Sequence, residues 1–286
     1  MKFRVPLFIF LALTLIAFGF SAVIRSENAE PTHIKTESSN TSAVRMVKRQ
    51  IPTVFIHGWK GTERSFKTML RRFKKNYNGP ERAIIMTVEP NGAVKSSGQI
   101  TDQKIPLIQV IFSSNHESMQ QQAVWLKNVF FILKNTYHLN EVNVVSHSMG
   151  GKAFTYYLEK IENQTHYPVV KKYVAIAAPF DWISGPQNDR LYTLEQLKRE
   201  SYLVQHHDRL PQDLDVLAIA GVMRNVHEGD GVVSLQGAFF GRYFFNRDHY
   251  KEKIVYGAKA QHSMLHENPQ VDRIIADFLW KIHPKN

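Results

Sequence analysis

Cysteine is absent from the chain. Its absence excludes disulfides, thiolate metal sites and lipid attachment through an N-terminal Cys. Acidic side chains are also scarce: 25 Asp and Glu stand against 36 Lys and Arg, a formal net charge of +11. A basic balance of this size suits contact with an anionic membrane or cell-wall surface, and equally a plain solubility role. Nucleic acid is not an expected partner, because neither a basic helix nor an aromatic stacking motif accompanies the charge. No internal repeat or low-complexity tract marks the chain beyond residue 50. His206 and His207 are adjacent but have no carboxylate array around them, so no metal is expected there.

What is present begins with Lys2 and Arg4 ahead of an uncharged run from Val5 to Ile24, closed by Arg25. Its length is near the ~20 residues that span a bilayer. Gly19 and Ser21 offer small residues for cleavage, but no Ala-x-Ala is there. Residues 1–25 are therefore a cleaved signal peptide or an uncleaved N-terminal anchor, with the following chain outside the cytoplasm, secreted or membrane-anchored. Residues 26–50, rich in Ser, Thr, Asn and Glu, form a disordered linker. Residues 51–286 suffice for one core.

That remainder alternates apolar runs with amphipathic segments. Ile51–Ile56 stops at His57-Gly58-Trp59, and a helix follows with Thr62 as its N-cap and Phe66, Met69, Leu70 and Phe73 on one face. Strands are predicted at 82–88 and 107–112 with a polar hairpin excursion between them, then a helix from Ser118. Further strands fall at 173–178, 214–220 and 254–257, with a terminal helix carrying Val271, Ile275 and Leu279 inward. Such alternation specifies a mostly parallel sheet with helices on both faces. The stretch at about 180–212 lacks an apolar period and sits where a small cap is inserted, or where a surface excursion carries one short helix. The aromatic stretch Phe239 to Phe245 is expected to pack rather than to line a pocket.

The strand Glu141–Ser146, the turn His147-Ser148-Met149-Gly150 and the helix after it have the form of a nucleophile elbow. Ser148 is the nucleophile. Strand and helix nearly touch there, so the flanking residues must be small; Gly150 complies, and Ser146 stands where the usual motif has Gly. The amides of Trp59 and Met149 are the candidate oxyanion donors, and His57 is expected to fix its loop rather than act as a base. Downstream, Gly229-Asp230-Gly231 offers an acid beyond a strand, with Asp181 in reserve one strand earlier. Between the last strand and the last helix, His262 and His266 compete as the base, and His262 is preferred because it lies nearer the strand end. Ser148, Asp230 and His262 keep the Ser, acid, His order of α/β-hydrolases.

The segments Val54-Phe55-Ile56-His57-Gly58, Ser146-His147-Ser148-Met149-Gly150-Gly151, Gly229-Asp230-Gly231-Val232-Val233-Ser234 and His262-Ser263-Met264-Leu265-His266-Glu267-Asn268-Pro269 resemble a family of exported α/β-hydrolases of Gram-positive bacteria. Its members are labelled cell-surface hydrolases or domains of unknown function. The resemblance implies an α/β-hydrolase fold and a lipase- or esterase-like triad acting on a small-molecule or lipid ester. No substrate comes with it. Acyl transfer of this kind needs no cofactor. A thioesterase, peptidase or acyltransferase would use the same triad, and a non-catalytic surface binding module would keep the scaffold without the chemistry.

Overall fold

A computed structural model describes residues 50–101, 103–161, 164–183 and 191–285. The expected export segment, the linker up to residue 49, and Gly185, Pro186 and Asp189 of the cap stretch lie outside these residues. Among the described residues eight strands form one sheet: β1 (Thr53–Ile56), β2 (Pro80–Val88), β3 (Val94–Gly98), β4 (Ile105–Phe112), β5 (Glu141–His147), β6 (Val169–Ile176), β7 (Asp215–Val222) and β8 (Tyr250–Tyr256). Their order is β3-β2-β4-β1-β5-β6-β7-β8. Among the described strands only β2 and β3 pair antiparallel, in the expected hairpin excursion. The chain first builds to one side of β1 and then, from β5 onward, to the other. The crevice beyond the carboxyl ends of β1 and β5 is thus a topological switch point, where open α/β sheets bind ligands.

Period-2 alternation divides the core into two layers. Val54, Ile56, Val142 and Val144 pack under α2 (Met119–Asn135) and α3 (Met149–Lys160). Phe55, Val145, Val174 and Ile176 face α1 (Arg64–Asn76) and the terminal helix α7 (Pro269–Trp280). The sheet is therefore covered on both faces, the arrangement of an α/β-hydrolase fold.

Local details differ from the sequence expectations in three places. Glu63, not Thr62, occupies the N-cap position of helix α1, but its side chain makes no capping hydrogen bond; the Thr62 hydroxyl, one position earlier, accepts from the Arg64 amide at 3.2 Å. Strand β6 starts at Val169 rather than Tyr173, because Lys171 and Lys172 break the apolar run while Lys172 stays in the sheet and donates to the Phe278 carbonyl at 2.8 Å. Strand β8 starts at Tyr250, where the Lys251-Glu252-Lys253 run charges an edge strand.

In the cap stretch, α4 (Leu194–Glu200) and α5 (Tyr202–Gln205) bury Leu197 and Leu203 in the same layer as α2 and α3. The Tyr202 ring lies 4.6 Å from that of Tyr156, which pins α5 to α3. A short helix α6 (Leu235–Phe239) leads into the aromatic stretch. There Phe240, Phe244 and Phe245 are buried, with Phe180 ringing the last two at 5.4 and 6.0 Å, so these aromatics pack. Among the described residues no helix is long and apolar enough to cross a membrane.

Candidate active site

The register of β1 against β5 pairs Ile56 with Ser146. Two residues further along each strand, Gly58 meets Ser148. A Cβ at Gly58 would stand 2.7 Å from the Ser148 Cβ, so only glycine lets the two loops approach. Ser148 has φ 56° and ψ −134°, a strained conformation that lifts its hydroxyl off the sheet. Its amide donates to the Ile176 carbonyl at 2.9 Å, which anchors the turn. A Cβ at Gly150 would fall against the His57 carbonyl oxygen, so α3 starts in contact with the β1 loop.

His57 holds that loop. Its Nε2 accepts from the Phe112 amide at 3.0 Å, which leaves Nδ1–H to donate to the Gly58 carbonyl at 2.8 Å. Burial lowers its pKa, in keeping with a neutral ring. Within the loop, Lys60 N–H donates to Asn115 and Gly61 N–H to Gly58. The amides of Trp59 and Met149 donate to no backbone carbonyl among the described residues.

Three loops at the carboxyl edge bring Ser148, Asp230 and His262 together. The Asp230 Oδ1 accepts from the amides of Val232 and Val233 at 2.9 and 2.7 Å, which fixes the carboxylate. Its Oδ2 accepts from His262 Nδ1–H at 2.7 Å. The opposite ring nitrogen, Nε2, lies 2.9 Å from Ser148 Oγ. With Nδ1 donating to the carboxylate, Nε2 is the acceptor for the serine hydroxyl. Exposure falls from 8% at Ser148 and 7% at His262 to 1% at Asp230.

The two alternates stand apart from this line. His266 directs Nδ1 to Glu267 at 3.2 Å and sets its ring edge-on to His147 at 5.0 Å, away from Ser148. Asp181 is buried against Gly237, and the His262 Nδ1 it would need is taken by Asp230.

Sequence reading missed several supporting groups. The His147 ring is buried, and burial together with His262 and His266 keeps its pKa well below the usual value. Its Nε2–H donates to the His262 carbonyl at 3.0 Å, tying the elbow strand to the histidine loop. Its place next to Ser148 was the available signal. Arg72 of α1 holds the same loop from the other side. It donates to Asp272 at 2.5 and 2.9 Å, to Glu267 at 3.2 Å and to the His266 carbonyl at 3.0 Å. Asp272 is 200 residues further along the chain, so no local pattern points to the pair.

Ser146 also has a reason. The Tyr173 hydroxyl donates to the Gly151 carbonyl at 3.0 Å, so Ser146 Oγ donates to Tyr173 Oη at 2.9 Å. The residue that departs from the usual motif thus closes a buried hydrogen-bond chain under the elbow.

A hollow of about 590 Å³ lined by Ile51, Pro52, His138 and Glu141 lies at the amino ends of β1 and β5, the wrong edge for Ser148. Among the described residues no group of three His, Asp or Glu side chains is gathered to hold a metal ion. His206 and His207 each turn Nδ1 to a backbone carbonyl, of Tyr202 and Val204.

The product of the gene lin2722 from Listeria innocua is 31% identical, with a TM-score of 0.70 over 81% of this chain and 94% of that one. A Lactobacillus plantarum protein, described as a candidate cell surface hydrolase, is 25% identical with a TM-score of 0.65, over 82% and 92%. Bacillus licheniformis lipase BlEst2, 16% identical with a TM-score of 0.50 over 80% and 92%, shares the fold. A search of curated proteins finds no match. The family described as "Alpha/beta hydrolase of unknown function (DUF915)" matches residues 40–282, and the chain belongs to it.

Proposed function

We propose that this protein is a serine hydrolase that cleaves carboxylic esters outside the cytoplasm. The observation that carries the reading is the continuous hydrogen-bonded line from Asp230 Oδ2 through His262 to Ser148 Oγ, at 2.7 and 2.9 Å. His262 Nε2 takes the hydroxyl proton as Oγ attacks the ester carbonyl, and Asp230 stabilises the imidazolium. The proton passes to the leaving alcohol as the acyl-enzyme forms. A water that gives its proton to His262 then releases the acid and restores Ser148. The Trp59 and Met149 amides hold the oxyanion, each contributing roughly 3 kcal/mol to the transition state.

Residues 1–25 serve as the export signal or anchor and 26–50 as the tether, with 51–286 as the hydrolase domain. The likeness to the Lactobacillus plantarum protein and the apolar opening run support the cell-surface location. Contact with an anionic membrane or wall polymer suits the +11 charge. The test is hydrolysis of short-chain aryl esters with fluorophosphonate labelling. Wild type is expected to turn over and to label at Ser148, and Ser148→Ala to do neither. Activity retained in Ser148→Ala would refute the assignment.

A further inference from the structure

Lys152 is the fourth residue after Ser148, on the same face of α3 and roughly 6 Å further along its axis. It is 7% exposed. Asp181 and Glu159 act on it through space, yet neither forms an ion pair with it, and no hydrogen-bond acceptor among the described residues meets its ammonium. Burial of the side chain disfavours the charged ammonium, and an anion brought to it through the cavity it lines would offset that cost. Lys152 lines a cavity of about 150 Å³ between α3, the start of α2, the segment after β6 and α5, with Tyr156, Trp182 and Tyr202 among its walls.

The size and chemistry of this cavity restrict its occupant. Its volume equals that of about five water molecules, below the ~300 Å³ at which pockets for larger ligands begin. A long acyl chain does not fit, whereas a short arm ending in oxygen acceptors does. The aromatic rings among its walls lower the local dielectric and strengthen a charge pair made beside them.

We infer that this cavity is the recognition pocket for the substrate, and that Lys152 binds an anionic group, a carboxylate or a phosphate, on a short arm of the ester. The inference rests on the serine-hydrolase reading above. Lys152 would donate to the anion and so orient the ester carbonyl against Ser148, one helical turn away. The charged and titratable groups facing it are Asp181, Glu159, Glu200 paired with Arg199 at 3.0 Å, and Tyr156 and Tyr202 with Lys160 over both rings. Burial raises the Glu159 pKa to about 8, so it is mostly protonated at neutral pH. Burial lowers that of Lys152 to about 8, so it still carries its charge at pH 7 and loses it by pH 9.5.

The experiment compares kcat/KM for 4-nitrophenyl hemiglutarate, its phosphonate counterpart 4-nitrophenyl 4-phosphonobutyrate, and neutral 4-nitrophenyl valerate. At pH 7 the wild type is expected to prefer at least one anionic ester by about tenfold or more, and the faster of the two identifies the anion. That ratio should fall toward one at pH 9.5 and in Lys152→Met, and survive in Lys152→Arg. The wild-type ratio and its pH dependence need no variant, so a misfolded Lys152→Met leaves the test intact. A wild type that hydrolyses the neutral ester without preferring either anion, or an active Lys152→Met variant that keeps the wild-type preference for the anionic ester, overturns this inference alone. No turnover of any ester, with Ser148 unlabelled by fluorophosphonate, overturns the serine-hydrolase reading as well.

Discussion

At Asp230 the carboxylate accepts three hydrogen bonds, two from backbone amides and one from His262. Replacing it with Asn keeps the shape but offers the ring the wrong tautomer, so Asp230→Asn is expected to lower kcat by about 10⁴-fold. Asp181→Asn should cost far less, because Asp181 does not meet the imidazole. Steady-state kinetics of the two variants with an aryl ester decide which acid serves; the reverse ranking would move the acid to Asp181. Ser146→Gly removes one buried hydrogen bond while Tyr173 keeps its bond to Gly151. A stability loss of about 1 kcal/mol with kcat unchanged is expected, read from urea midpoints and turnover.

Elements meet at the elbow with no space to spare. Helix α3 starts against the His57 carbonyl, and a methyl group at position 150 would push it off the β1 loop. Gly150→Ala should therefore lose soluble, labelled enzyme even though its side chain takes no part in the chemistry. Retained fluorophosphonate labelling at the wild-type rate would show that the helix can shift. Arg72 does comparable work between α1 and the histidine loop. Removing it leaves Asp272, 1% exposed, without its partner. Arg72→Met is expected to cost about 3 kcal/mol in chemical denaturation, the range for breaking a buried pair from one side. An unchanged midpoint would make the clamp energetically idle.

Across the whole molecule, the buried pair on α3 sets a pH dependence of stability. A carboxyl whose pKa rises from 4.5 to about 8 on folding holds its proton more tightly in the folded state. Its contribution is complete below pH 4.5 and is lost as pH rises through 8, on the order of 1.4 kcal/mol per pH unit within that window. Lys152, lowered from 10.5 to about 8, acts in the opposite sense: between those values the unfolded chain holds the extra proton, so stability recovers as pH rises. Glu159→Gln should remove the decline between pH 5 and 8. Buried His57 and His147, whose pKa values fall on folding, add stability as pH rises toward 6.5 in both proteins. Denaturant midpoints are therefore compared as a difference: the wild type should lose stability relative to the variant from pH 5 to 8, and parallel curves would refute the assignment.

The order of elements was legible in the chain because apolar period and turn chemistry are local properties. The runs at Val54–Ile56 and Val142–Val145 announced buried strands, and Ser148, Asp230 and His262 announced themselves by falling at strand ends in the order this fold uses. Strand β8 was legible only in part, since its edge position lets Lys251, Glu252 and Lys253 interrupt the pattern. What tertiary structure alone decided is who meets whom. Only folding places Asp230 rather than Asp181 on Nδ1 of His262, gives Ser146 a partner in Tyr173, sets Arg72 on Asp272, and encloses Lys152 beneath Tyr202. Each of these depends on side chains brought together from segments far apart in sequence, and a distance of that kind leaves no period or spacing for the sequence to display.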